Sequence, residues 1–155
     1  MNEPLLNPDM RSRLLANLEE TVADLINVFS GSVITERDVY DEWNPSGILR
    51  HLTFWHESFA RNVFDLVQGR KPTPLKGKLS ELNQRSVGSM SALSVEQLLS
   101  RLEAAQNIIR ENILSERLLS IPYRKGSRDY SPEEHLEIVT GHIQGHLKAI
   151  EKGSR

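Results

Sequence analysis

Residues 131–152 read SPEEHLEIVTGHIQGHLKAIEK, and this stretch decides the fold. Ser131 can cap a helix, Pro132 suits its first turn, and Glu134 closes a capping box three residues after Ser131. The helical pattern then continues to about Lys152. At about 100° per residue, His135, Val139, His142, His146 and Ile150 share one narrow sector, the face expected to be buried. Three imidazoles on such a face need hydrogen bonds, a metal or a solvent-filled cleft, because an unpartnered buried polar ring costs about 1–3 kcal/mol.

Working outward, three more segments carry the same period. The first runs from about Pro8 to Phe29, with Leu14, Leu18, Val22, Leu25 and Phe29 on one face and Gly31 as its stop. The second opens at Asn44-Pro45, a cap followed by a first-turn proline, and continues to about Gln68. Its stripe is Ile48, Leu52, Trp55, Phe59, Val63 and Leu66. The third starts at Ser94, boxed by Gln97, and runs to about Leu114 through Leu98, Leu102, Ala105, Ile109 and Ile113. Between the second and third lies a long crossover, residues 70–93, in which Leu79 to Val87 has the makings of a short helix. Such length predicts either a bundle whose second and third helices are not hairpin neighbours or a lid beside a site. No strand pattern competes. The expected architecture is all-α: one domain spanning 1–155, a four-helix bundle with a long crossover between helices two and three.

Composition narrows the function. With 155 residues, 19 basic against 21 acidic and a net charge of −2, the chain lacks the Lys/Arg excess of a dedicated nucleic-acid binder. The N-terminus is broken by Pro4 and Pro8 without an apolar h-region, and no stretch nears about 18 apolar residues, so a cytoplasmic protein without a membrane span is expected. There is no cysteine, so any sulfur chemistry needs a thiol from a second substrate.

The HxxxH pair His142/His146 places two side chains one turn apart, as in a helix that offers two nitrogens to one ion. His135 cannot join them, being 11 residues and about 16 Å from His146 along the helix. A third ligand must come from another helix, where His51 and His56 flank the buried stripe and His51 is favoured. The competing reading is a pair of hydrogen-bonded core histidines. No HExxH glutamate accompanies the pair, so this spacing is not that of a zincin protease.

The run from Trp43-Asn44-Pro45 to His51-Leu52, with the closing His142-Ile-Gln-Gly-His146 and its continuation to Ile150, resembles the DinB-like superfamily. This superfamily of four-helix bundles includes bacillithiol and mycothiol transferases and maleylpyruvate isomerase. Trp55-His56-Glu57-Ser58-Phe59, Gly69-Arg70-Lys71-Pro72 and Leu82-Asn83 look more like its DfsB/ClbS-type branch. The resemblance implies a metal triad at His51, His142 and His146. The ClbS-like colibactin-resistance members do not rely on such a triad, so its presence argues against copying their activity.

Three imidazoles on a divalent ion leave a coordination position for water or a thiol. The expected function is a metal-dependent thiol transferase or hydrolase acting on a small electrophile. Zn or Ni is the favoured ion, with Fe, Cu and Mn open, and a low-molecular-weight thiol is the cosubstrate that the resemblance implies. Trp55 and Tyr123 are substrate-binding candidates, with core or cleft-wall packing as the alternative for Trp55, and Arg124 and Arg128, with Lys125, are candidates for meeting a substrate carboxylate. The plain alternative for these cations is a solvated loop with Asp129 as partner. Two rival readings are sequestration of a toxic or hydrophobic molecule without turnover, and a homodimeric stress protein with a vestigial site.

Overall fold

Capping chemistry sets where the helices begin. In the computed structural model, which describes residues 8–31 and 43–153, α1 spans Pro8–Gly31 and α2 spans Pro45–Val67. Asn44 Oδ1 accepts from the Gly47 amide at 2.9 Å, satisfying one of the donors that a helix start leaves open. The short α3 covers Leu79–Ser89 and α4 covers Val95–Asn112, opened by the reciprocal Ser94/Gln97 box at 2.8 and 3.1 Å. The last helix, α5, spans Pro132–Gly153, and its Ser131/Glu134 box closes at 2.9 and 3.1 Å. The reading of the proline-broken N-terminus falls largely on residues 1–7, outside those described.

Two expectations are corrected. A small antiparallel pair, β1 Ile121–Pro122 with β2 Asp129–Tyr130, stands where no strand was expected. Two residues per strand are too few to show an alternating pattern. The core face of α5 is also not the histidine sector. Leu136, Ile143, Leu147 and Ile150 are buried, and this arc is centred about 90° around the helix from the three histidines, which therefore sit on a flank.

Side-chain pairs give the direction of each helix. Arg11 meets Glu133 and Thr21 meets Gln144, so α1 and α5 run parallel. Glu19 meets Gln106 while Arg11 reaches the Ile113 carbonyl, so α1 and α4 are antiparallel. His51 meets His142 while Phe59 meets His135, so α2 and α5 are antiparallel. It follows that α2 and α4, which pack extensively on each other, run in the same direction. A parallel pair cannot be closed by a tight turn. The chain must travel back along the 23 residues of α2, about 34 Å at 1.5 Å per residue, which accounts for the long crossover.

That crossover is fastened at several points. Lys125 N donates to the Leu75 carbonyl at 2.8 Å, Arg124 Nη1 to the Gly77 carbonyl at 3.2 Å, and Trp55 Nε1 to Asn83 Oδ1 at 3.0 Å. Gly77 turns with φ +132°, a conformation that side chains disfavour. Leu82 of α3 is buried, so α3 is packed structure rather than a free flap.

Arg11 locks the far end of the bundle. Its Nε donates to Glu133 Oε2 at 2.8 Å, and its Nη1 donates to the carbonyls of Ile113 and Ser115 at 3.2 and 3.3 Å, satisfying open acceptors after α4. One buried guanidinium thus joins α1, α4 and α5. Arg11→Ala is expected to cost about 2–3 kcal/mol, lowering Tm by about 5–10 °C. A melting curve unchanged within about 1 °C would contradict this role.

Candidate metal centre and adjoining cleft

On α2, His51, Trp55, Ser58 and Asn62 form an i, i+4, i+7, i+11 row along the flank facing α5. On α5, His135, Val139, His142 and His146 form the matching row. Antiparallel packing lays the two rows side by side, and the seam between them is the candidate site.

At one end the three predicted ligands meet. His51 Nε2 lies 3.3 Å from His142 Nε2, and His146 Nε2 lies 3.1 Å from it, with all three ligand atoms within 4.8 Å of one another. Nitrogens bound at about 2.1 Å to one ion stand about 3.0 Å apart at a right angle and about 3.4 Å at the tetrahedral angle. The two shorter spacings fall in that range. Burial, then the neighbouring His142 and His146, pushes the His51 pKa down to about 3; burial, then His142, takes His146 to about 4; burial also lowers His142. All three rings are neutral at pH 7, the form that binds a metal. If all three carry their proton on Nδ1, three lone pairs face one another, an arrangement that a cation relieves. The Trp43 ring packs beside His51, with centroids 4.8 Å apart and planes tilted by 42°.

From His142 a narrow cleft, with about 40 Å³ of space open to water-sized molecules, runs between α2 and α5 toward the β1–β2 hairpin. Trp55 and Tyr123 both line it, stacked at 5.0 Å and 14°. Burial raises the Tyr123 pKa, so its hydroxyl stays protonated. Among the residues lining the cleft, sequence reasoning missed Ser58, Asn62 and His135 as site residues. Their signal was their position in the two rows, at i+7 and i+11 from His51 and i−7 from His142.

The predicted cations stand elsewhere. Arg128 pairs with Glu134 at 3.1 Å and lies 4.0 Å over the Tyr130 ring, so its carboxylate partner is Glu134, where Asp129 had been expected. Arg124 bonds the Gly77 carbonyl. Neither lines the cleft. His56 is buried and bonds Gln106 Oε1 at 2.7 Å, and the Gln106 amide donates to Glu19. It is a satisfied core histidine, and burial lowers its pKa to about 4 against the partial opposition of Gln106, Glu19 and Glu57.

No protein-family profile matches the chain, and no curated protein matches it. Among solved structures, it is similar to the crystal structure of the mycothiol-dependent maleylpyruvate isomerase, with a TM-score of 0.69 and 15% identity over 94% of this chain. The chain spans 61% of that protein's length. At that identity the likeness is one of fold: the helical bundle expected from the sequence is shared with a protein of the kind the superfamily resemblance named. Among the described residues no helix is long and apolar enough to cross a membrane.

Two predictions follow from the histidines. Mass spectrometry of the parent, purified untagged and without chelator, is expected to find about one ion per chain, and His142→Ala and His146→Ala are each expected to lose it. Unchanged metal content in both would remove the triad. The second concerns pH. His56 titrates near 6.5 unfolded and about 4 folded, so above pH 6.5 both states are neutral and it contributes nothing. As pH falls below 6.5 the unfolded state gains the proton first and stability drops, levelling off below about 4. At pH 5 the loss is about 2 kcal/mol, so His56→Gln should lose about 4–8 °C less Tm between pH 7 and 5 than the parent. Equal losses would show that His56 is not neutral in the fold.

Proposed function

We propose that this chain is a metal-dependent enzyme that transfers a thiol to a small electrophilic molecule, or hydrolyses it, in the cleft between α2 and α5. The carrying observation is the convergence of three neutral Nε2 atoms from two helices at one end of that cleft. A divalent ion held by His51, His142 and His146 would supply Lewis acidity toward an oxygen or sulfur ligand at a position the protein leaves open. Nitrogen-only ligation suits Zn and Ni, our favoured ions, and does not by itself disfavour Fe or Cu. With no cysteine in the chain, the thiol comes from a cosubstrate. A mycothiol-dependent protein of similar fold supports that version.

The chain's own residues bind, orient and exclude water. The Trp55/Tyr123 stack gives a flat wall, held by the Trp55–Asn83 hydrogen bond, and Phe59 with Ile143 gives an apolar floor. A small electrophile bound in this cleft would have its reacting carbon toward His142. In the transfer version, the thiol sulfur forms a bond to that carbon, the leaving group departs with its electron pair, and the thiol proton passes to solvent.

The test uses 1-chloro-2,4-dinitrobenzene with a low-molecular-weight thiol, and 4-nitrophenyl acetate for hydrolysis. With either probe, product is expected well beyond one equivalent of chain. Turnover should disappear on chelation and in His142→Ala, and return in the parent when Zn or Ni is restored. A strictly stoichiometric plateau would favour sequestration, and turnover indifferent to chelation would exclude the metal.

A further inference from the structure

The cleft has a second polar end that the metal centre does not use. His135 is 3% exposed and lines the cleft, and neither of its ring nitrogens makes a well-formed hydrogen bond among the described residues. The Pro122 carbonyl, which accepts from Asn62 Nδ2 at 3.2 Å, is also close enough to one ring nitrogen of His135 to raise its pKa as a loose hydrogen-bond acceptor. The ring is held flat against Phe59, with centroids 4.5 Å apart and 14° between planes, and Tyr130 meets it edge-on at 5.8 Å. An aromatic slot thus holds a ring whose N–H has at most the loose Pro122 contact and whose other nitrogen, an acceptor, has no partner, on a side chain with little freedom to turn away.

We propose that His135 recognises the far end of the molecule that enters this cleft, by hydrogen bonding an uncharged hydroxyl, oxime or amide on a flat apolar body. The inference rests on the cleft being the ligand site proposed above, and not on the ion. His135 and His142 are seven residues apart on α5, two turns or about 10 Å along the axis, which sets the span between the polar end and the reacting end. An uncharged end is selected because the ring is neutral, its pKa taken down to about 4 chiefly by burial, and because the nearby ionic group is the Glu134 carboxylate. A ligand carboxylate would find no cation there, since Arg128 is committed to Glu134. A core histidine serving only as packing would gain nothing from such a ligand.

The test compares 2-naphthol with 2-methylnaphthalene, which differ by a hydroxyl for a methyl, on the parent chain and on His135→Phe, which keeps the stacking. Calorimetry is run as purified and after chelation, so that no ion holds the hydroxyl. The parent is expected to prefer 2-naphthol by about tenfold. That preference should vanish in His135→Phe, while 2-methylnaphthalene affinity stays within about twofold. Should His135→Phe fail to fold, side-chain ¹⁵N spectra of the parent decide: 2-naphthol must move the His135 ring resonances. An equal preference in parent and variant, no binding of either probe at millimolar concentration, or unmoved His135 resonances at saturation would overturn the proposal. A preference that survives chelation while turnover fails would sink the enzymatic reading alone.

Discussion

His51, His142 and His146 meet because α2 runs antiparallel to α5 in one register, and most of what the molecule offers chemically hangs on that seam. A slip of α5 by one turn would move each imidazole by about 5.4 Å, more than the spacing of the cluster. The register is fixed from outside the site. Arg11 ties the start of α5 to α1 and to the end of α4, and the hairpin ahead of α5 is tied through Leu75 and Gly77 to the crossover that returns along α2. The parallel α2/α4 pair forces that long return, and the return brings Asn83 to Trp55 at the cleft wall. Topology and site thus share one cause.

The seam is built at a cost. His51 Nδ1 and the nitrogens of His135 are buried without well-formed hydrogen bonds among the described residues, and each buried polar group left unpartnered costs about 1–3 kcal/mol. His56, on another side of α2, has its partner in Gln106 and carries no such debt. The contrast separates a histidine that stabilises the core from histidines that strain it, and strained neutral rings beside a cleft are the pattern expected of a working site.

Local signals were legible in the sequence wherever they were chemically explicit. Asn44-Pro45, Ser94/Gln97 and Ser131/Glu134 each start a helix as their side chains dictate, and the stripes of α2 and α4 are buried almost residue for residue. The three ligand candidates were readable too, since His142 and His146 share a turn and His51 flanks a stripe. The buried face of α5 was not, because Val139 and Ile150 extend the apolar arc toward the histidines and a helical wheel cannot tell the centre of an arc from its edge. Only packing against α1 decides it. Helix directions, the hairpin and the partnership of Arg128 with Glu134 depend on contacts between segments far apart or on geometry too short to show a period.

The central claim is that one ion takes all three imidazoles. X-ray absorption at the Zn edge, on untagged chain carrying one equivalent of Zn, counts them directly through the multiple scattering of imidazole rings. Three nitrogen-bound imidazoles at about 2.0 Å, with remaining ligands that are not histidine, is the predicted result. A fit needing two imidazoles or fewer, or Zn that dialyses away, would contradict it.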